Sequence, residues 1–160
     1  MPEMTLLGWF HTVMGVLAML LAILTLVRDR VFAFSSTTGK PYLWVTMIVA
    51  GSALGIYNQG GFNIAHVLAL LTLAAVLGGY VMERFQPVGA FSRYLQMLAY
   101  SATLLFHVIP AITDFLRRLP VGDPIIDSFD DPLLFQSYQV ALVLWISLLV
   151  AQAIWLRRNG

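Results

Sequence analysis

The feature that most constrains this chain is its run of five long apolar segments, Thr5–Val27, Pro41–Tyr57, Phe62–Met82, Tyr94–Leu116 and Leu134–Leu156, separated by short polar connections. Crossing about 30 Å of hydrocarbon takes roughly 20 residues of helix. Four segments meet that length comfortably, and the second is the shortest. Backbone exposed to lipid must satisfy its own hydrogen bonds, so each segment is expected to be helical rather than part of an open sheet. The expected fold is all-α: a polytopic transmembrane bundle of five spans, with residues 1–160 forming one integral membrane domain. Composition agrees, with 59% of residues hydrophobic and 11% charged. Soluble domains carry about 25% charged residues, so this chain lacks the means to cover a water-facing surface.

The first segment differs from a secretory signal. Glu3 stands where a basic region belongs, and Arg28-Asp29-Arg30 follows where a small-residue cleavage site belongs. Net charge is +1, which gives no basic field for nucleic acid. The absence of cysteine excludes disulfides, thiolate metal sites and a catalytic thiol. Catalytic signatures such as GxSxG, HExxH or a phosphate-cradling glycine loop are also missing.

Asn58-Gln59-Gly60-Gly61 reads as a tight turn, making the second and third helices antiparallel neighbours. The stretch between Arg118 and Phe135, with four aspartates and three prolines, reads as a surface loop. With five spans, Arg117 and Arg118 are the only arginines or lysines on one side. Arg28, Arg30, Lys40, Arg84, Arg93, Arg157 and Arg158 occupy the other. This asymmetry places the amino terminus outside and the carboxyl terminus in the cytoplasm, and a bacterial inner membrane is the expected location. Gly51 and Gly55 form a GxxxG pair that permits close helix packing.

The chemistry-bearing residues are the three histidines, His11, His66 and His107. With the spans set as above, all three fall roughly 6–14 Å inside the outer boundary. His11 shares a helix face with Gly8 and Gly15, and His66 follows Asn63 by three residues. His107 shares a face with Tyr100, Thr103, Ala111 and Asp114. Asn63, Tyr100, Thr103 and Asp114 are thus candidates to orient the second ring nitrogen of a ligating histidine. Pro110 is expected to bend the fourth helix beside His107.

Three readings follow. In the leading one, two of the histidines hold haem b for electron transfer and the third tunes it. In the next, His11, His66 and His107 together bind zinc or copper, which admits a metal-dependent hydrolase or a small transporter. In the third there is no cofactor: the histidines hydrogen-bond across helices in an accessory or structural subunit of a larger membrane complex or homo-oligomer. Asp114 has its own alternative, an interfacial pair with Arg117 or Arg118.

GWFHTVMGVLAML in the first span, GKPYLWVTM opening the second and GGFNIAHVLALLTL in the third together resemble a family of small prokaryotic multi-pass membrane proteins of unknown function. The resemblance rests on His11, Gly39-Lys40 and His66 and covers about the first two-thirds of the chain. It implies a four-helix core to which the fifth span is an addition. Family members often carry a further histidine before the Gly-(Lys/Arg) pair, where this chain has Ser36-Thr37-Thr38. No activity follows from it.

Overall fold

A computed structural model describes residues 5–57 and 61–159. The chain forms five helices: α1 (Leu6–Arg28), α2 (Gly39–Ala53), α3 (Ile64–Phe85), α4 (Ser92–Arg118, entered through a 3-10 turn at Gly89–Phe91) and α5 (Pro132–Asn159). There is no strand among the described residues. Four of the helices, α1, α3, α4 and α5, are long and apolar enough to cross a membrane, which makes this an integral membrane protein in contact with lipid. Their outward side chains are large and apolar, among them Val13, Leu20, Ile23 and Leu144. The second expected span, 41–57, is only partly helical. α2 has 15 residues and ends at Ala53, giving a rise of about 22 Å. Of the turn expected at Asn58–Gly61, all but Gly61 lies outside the described residues, as does Glu3.

Helix ends follow local chemistry. The Thr5 hydroxyl accepts from the Gly8 amide and starts α1. Arg30, at φ 66°, takes the left-handed conformation just past α1, and Gln86, at φ 46°, does the same after α3, ahead of Pro87. Within the helices, Thr25, Thr72 and Thr113 donate to carbonyls four residues back, so their hydroxyls bring no unpaired donor into an apolar setting. α4 stays helical through Pro110.

Neighbouring helices run antiparallel. The start of α1 meets the end of α2 through His11 and Ser52. The end of α3 meets the start of α4 through Glu83 and Tyr100. The start of α4 meets the end of α5 through Ser101 and Gln152. α4 is the hub, packing along α3 and α5, touching α1, and hydrogen-bonding α2. Gly79 of α3 is what lets α4 close in, because a Cβ there would collide with the Tyr100 ring.

The main core is Ala22, Phe32, Tyr42, Leu43, Val76 and Tyr100. Phe32 is not on a helix. It belongs to the connection 29–38, which folds back under the bundle and stacks its ring 4.6 Å from that of Tyr42. A second cluster, Leu116, Ile126 and Leu134, ties the 119–131 loop to α4 and α5 at the opposite end.

Candidate functional site

The histidines meet the rest of the molecule at three different places. His11 brings Nδ1 to 3.1 Å from the Val49 carbonyl oxygen and 3.0 Å from Ser52 Oγ, both on α2. His107, almost fully buried, brings Nε2 to 3.1 Å from Thr46 Oγ1, also on α2. Thr46, Val49 and Ser52 recur every three residues and share a face of α2. α2 is therefore the common partner, gripped by His11 from α1 and by His107 from α4. Thr46 lies three residues from Val49 and six from Ser52, so the attachments are staggered by about 4.5–9 Å along α2.

His66 has a separate setting. It occupies the first turn of α3, where the Asn63 side chain accepts from the Ala65 amide and the Asn63 N–H donates to His66 Nδ1 at 3.2 Å. That reciprocal pair is a capping box with histidine in the usual place of glutamate. The His66 ring lies 4.7 Å from that of Tyr57 and is stacked 5.1 Å from that of Phe62. The same Nδ1 lies 3.2 Å from Asn63 Oδ1, and the other ring nitrogen is Nε2. That atom is buried with no hydrogen-bond partner among the described residues.

Of the candidate orienting groups, Asn63 does contact its histidine. Tyr100 and Thr103 are engaged elsewhere. Thr103 Oγ1 is 2.7 Å from the Tyr42 hydroxyl and donates to the Tyr100 carbonyl, and the Tyr100 hydroxyl donates to Glu83 at 2.9 Å. Both lie on the His107 face of α4, but α2 and α3 reach them first. Asp114 is exposed and pairs with Arg118 at 3.1 Å, the interfacial alternative for this residue. Arg117 lays its guanidinium 3.6 Å over the Phe129 ring.

In metal chemistry, a histidine whose Nδ1 faces a backbone carbonyl leaves Nε2 as the free lone pair, and His11 has that arrangement. His107 has given Nε2 to a hydroxyl, and His66 has its Nδ1 engaged with Asn63. Among the described residues no three histidine or carboxylate groups gather where they could hold a metal ion.

The richest polar assembly lies at the other end of the bundle, around the 29–38 connection. Glu83 takes the Phe34 amide on Oε2 at 2.9 Å and the Ser35 amide on Oε1 at 2.8 Å, besides the Tyr100 hydroxyl. Gln96 of α4 donates to the Phe32 carbonyl at 3.3 Å. Gln152 of α5 donates to the Arg30 carbonyl at 2.9 Å and accepts from Ser101 Oγ at 2.6 Å. The Thr38 hydroxyl hydrogen-bonds the Asp29 carboxylate and, as the largest influence, holds its pKa below the usual value. Three helices thus pin one loop. In the sequence Glu83 stands just past an apolar segment and Gln152 is one of three glutamines in the last one, and neither position points to this loop.

No family model, no curated protein and no solved structure matches this chain, so the family resemblance of its first two-thirds yields no assignment.

Proposed function

We propose that this protein is a non-catalytic accessory subunit of a larger membrane complex, with His11 and His107 serving as interhelical hydrogen-bonding groups. The observation that carries this reading is that His11 and His107 both spend a ring nitrogen on α2, one from α1 and the other from α4. Such bonds between spans contribute about 0.6 kcal/mol on average and up to about 1.7. They fix helix register without requiring a ligand.

The accompanying topology is five crossings in a bacterial inner membrane, amino terminus outside and carboxyl terminus in the cytoplasm. Seven basic residues against two support the orientation. α2 counts as a crossing because it runs antiparallel to α1 and buries Tyr42, Leu43, Thr46, Val49 and Ala50 inside the bundle. Its helix falls about 8 Å short of the hydrocarbon thickness.

Haem b is the second reading, favoured by one specific observation: the uncommitted Nε2 of His11 behind an Nδ1 that faces a carbonyl. A single preparation separates the two. The protein is purified in mild detergent, its absorption spectrum recorded oxidised and dithionite-reduced, its metals counted and its co-purifying chains identified. An accessory subunit is colourless, carries no stoichiometric metal and retains a partner. It also tolerates His11→Gln and His107→Gln, because the amide keeps one hydrogen bond. A Soret band with sharp reduced α and β bands, lost in His11→Gln, would replace this reading with the haem one.

A further inference from the structure

α1 and α5 flank α4 without packing along each other, and the space between them is an apolar cleft of about 800 Å³. Its walls are Val140, Leu144 and Leu148 on α5, Leu104 and Ile112 on α4, and Met19 on α1. Gln136 and Ser137 are its only polar lining residues, and both lie in the first turns of α5, beside the 119–131 loop. The cleft is therefore apolar along its length and polar at its mouth.

Its length and its polar mouth indicate the occupant. The lining runs from Leu133 to Leu148 on α5 and from Leu104 to Leu116 on α4, which at helical rise is about 22 Å and 18 Å. A bilayer measures about 40–45 Å with its headgroups, so one leaflet is about 20–22 Å deep. The cleft starts at the loop end of both helices and stops one leaflet in. Beyond it α4 and α5 are joined directly: Trp145 Nε1 donates to the Ser101 carbonyl, and Gln152, four residues past Leu148, accepts from Ser101 Oγ. A spanning helix from a partner needs a path of about 30 Å, which is longer than this lining.

We propose that the cleft is a lipid site that holds one acyl chain of a phospholipid from the leaflet on the 119–131 side, with the glycerol region at Gln136 and Ser137. The proposal does not depend on the accessory-subunit reading, since a haem protein with this cleft would bind the same chain.

The test uses three variants of α5 at similar exposure. Val140→Trp and Leu144→Trp fill the cleft from residues that are 60% and 65% exposed, so neither disturbs a buried contact. Val143→Trp, from a residue 62% exposed on the same helix but outside the cleft lining, is the matched control. Each full-length protein is purified, washed extensively in dodecyl maltoside and examined by native mass spectrometry with phosphorus analysis of the extracted lipid. Wild type and Val143→Trp should retain a single phospholipid per chain, and both cleft-filling variants should lose it. Equal retention by all four proteins would mean annular lipid only and would overturn the proposal. So would a wild-type protein that retains none, or a polypeptide found cross-linked to residue 140 in place of lipid.

Discussion

At the end of the bundle where α1 passes to α2, the Glu83 carboxylate is met by two backbone amides and a tyrosine hydroxyl, and Gln96 and Gln152 close on the carbonyls of the same loop. At the opposite end, His66 lies fully buried between aromatic rings, with one nitrogen used in a helix cap and the other unpartnered among the described residues. Both ends bury polar atoms. The first uses them as fasteners, each with a partner from a different helix. The second leaves a buried ring nitrogen without a partner among the described residues, and an unsatisfied polar atom in a buried setting costs about 1–3 kcal/mol. Rigidity is therefore built in at the 29–38 end, and the histidine end is where stability is left unclaimed.

The strongest way to break this contrast is at Gly39, the first residue of α2. A Cβ there would overlap the Ala33 carbonyl oxygen, and backbone cannot step aside as a side chain can. Gly39→Ala should cost about 3 kcal/mol, at the upper end for overpacking, read as a lower midpoint of thermal unfolding in detergent. Glu83→Gln comes next. Its amide offers one acceptor where the carboxylate offered two, so one loop amide loses a charge-assisted bond, for about 1.5–3 kcal/mol. Limited proteolysis should then cut within residues 29–38, and a variant as resistant as wild type would end the fastener reading of Glu83.

Much of this architecture could be read directly from residue order. Apolar segments of about 20 residues announce themselves, and α1, α3, α4 and α5 appear near their expected positions because lipid permits little but helix there. α2 ends earlier than its apolar segment, since hydropathy continues through Ile56 and Tyr57 whether or not the backbone stays helical. The 29–38 seat was not legible. Glu83 lies just past its apolar segment, and the amides it binds come from 48 and 49 residues away. Hydropathy along a chain carries no information on such a pairing. The histidines were legible as residues of interest but not as a group: periodicity tells which side of α4 His107 occupies, not that Thr46 of α2 will be waiting there.

Smaller effects sharpen the comparison. His66→Phe keeps the aromatic stack and removes the unpartnered nitrogen, but it gives up half of the capping box. A cap is typically worth about 1 kcal/mol, so the net change should be near zero or stabilising. A loss of more than about 2 kcal/mol in the same thermal assay would mean that Nε2 has a bound partner, since that is the range for a buried polar group deprived of one. The smallest effect is on pH. The folded pKa of Asp29 is depressed, so its tie to Thr38 contributes in full above the unfolded value of 3.8 and is lost as pH falls from there through the folded value. Thr38→Val should flatten that acid limb slightly and leave stability at other pH values sloping as before.

The reach of Gln152 has a consequence for how the chain is made. Synthesis delivers the 29–38 connection early and α5 last. Yet the Arg30 carbonyl and the Ser101 hydroxyl both receive their partner from α5. A nascent chain that stops before α5 must keep those groups wet or hold them bare within an apolar bundle. Until residue 152 arrives, the first loop lacks the anchor that ties the Arg30 carbonyl to α5, so the seat of that loop is completed only after the other four helices have been made.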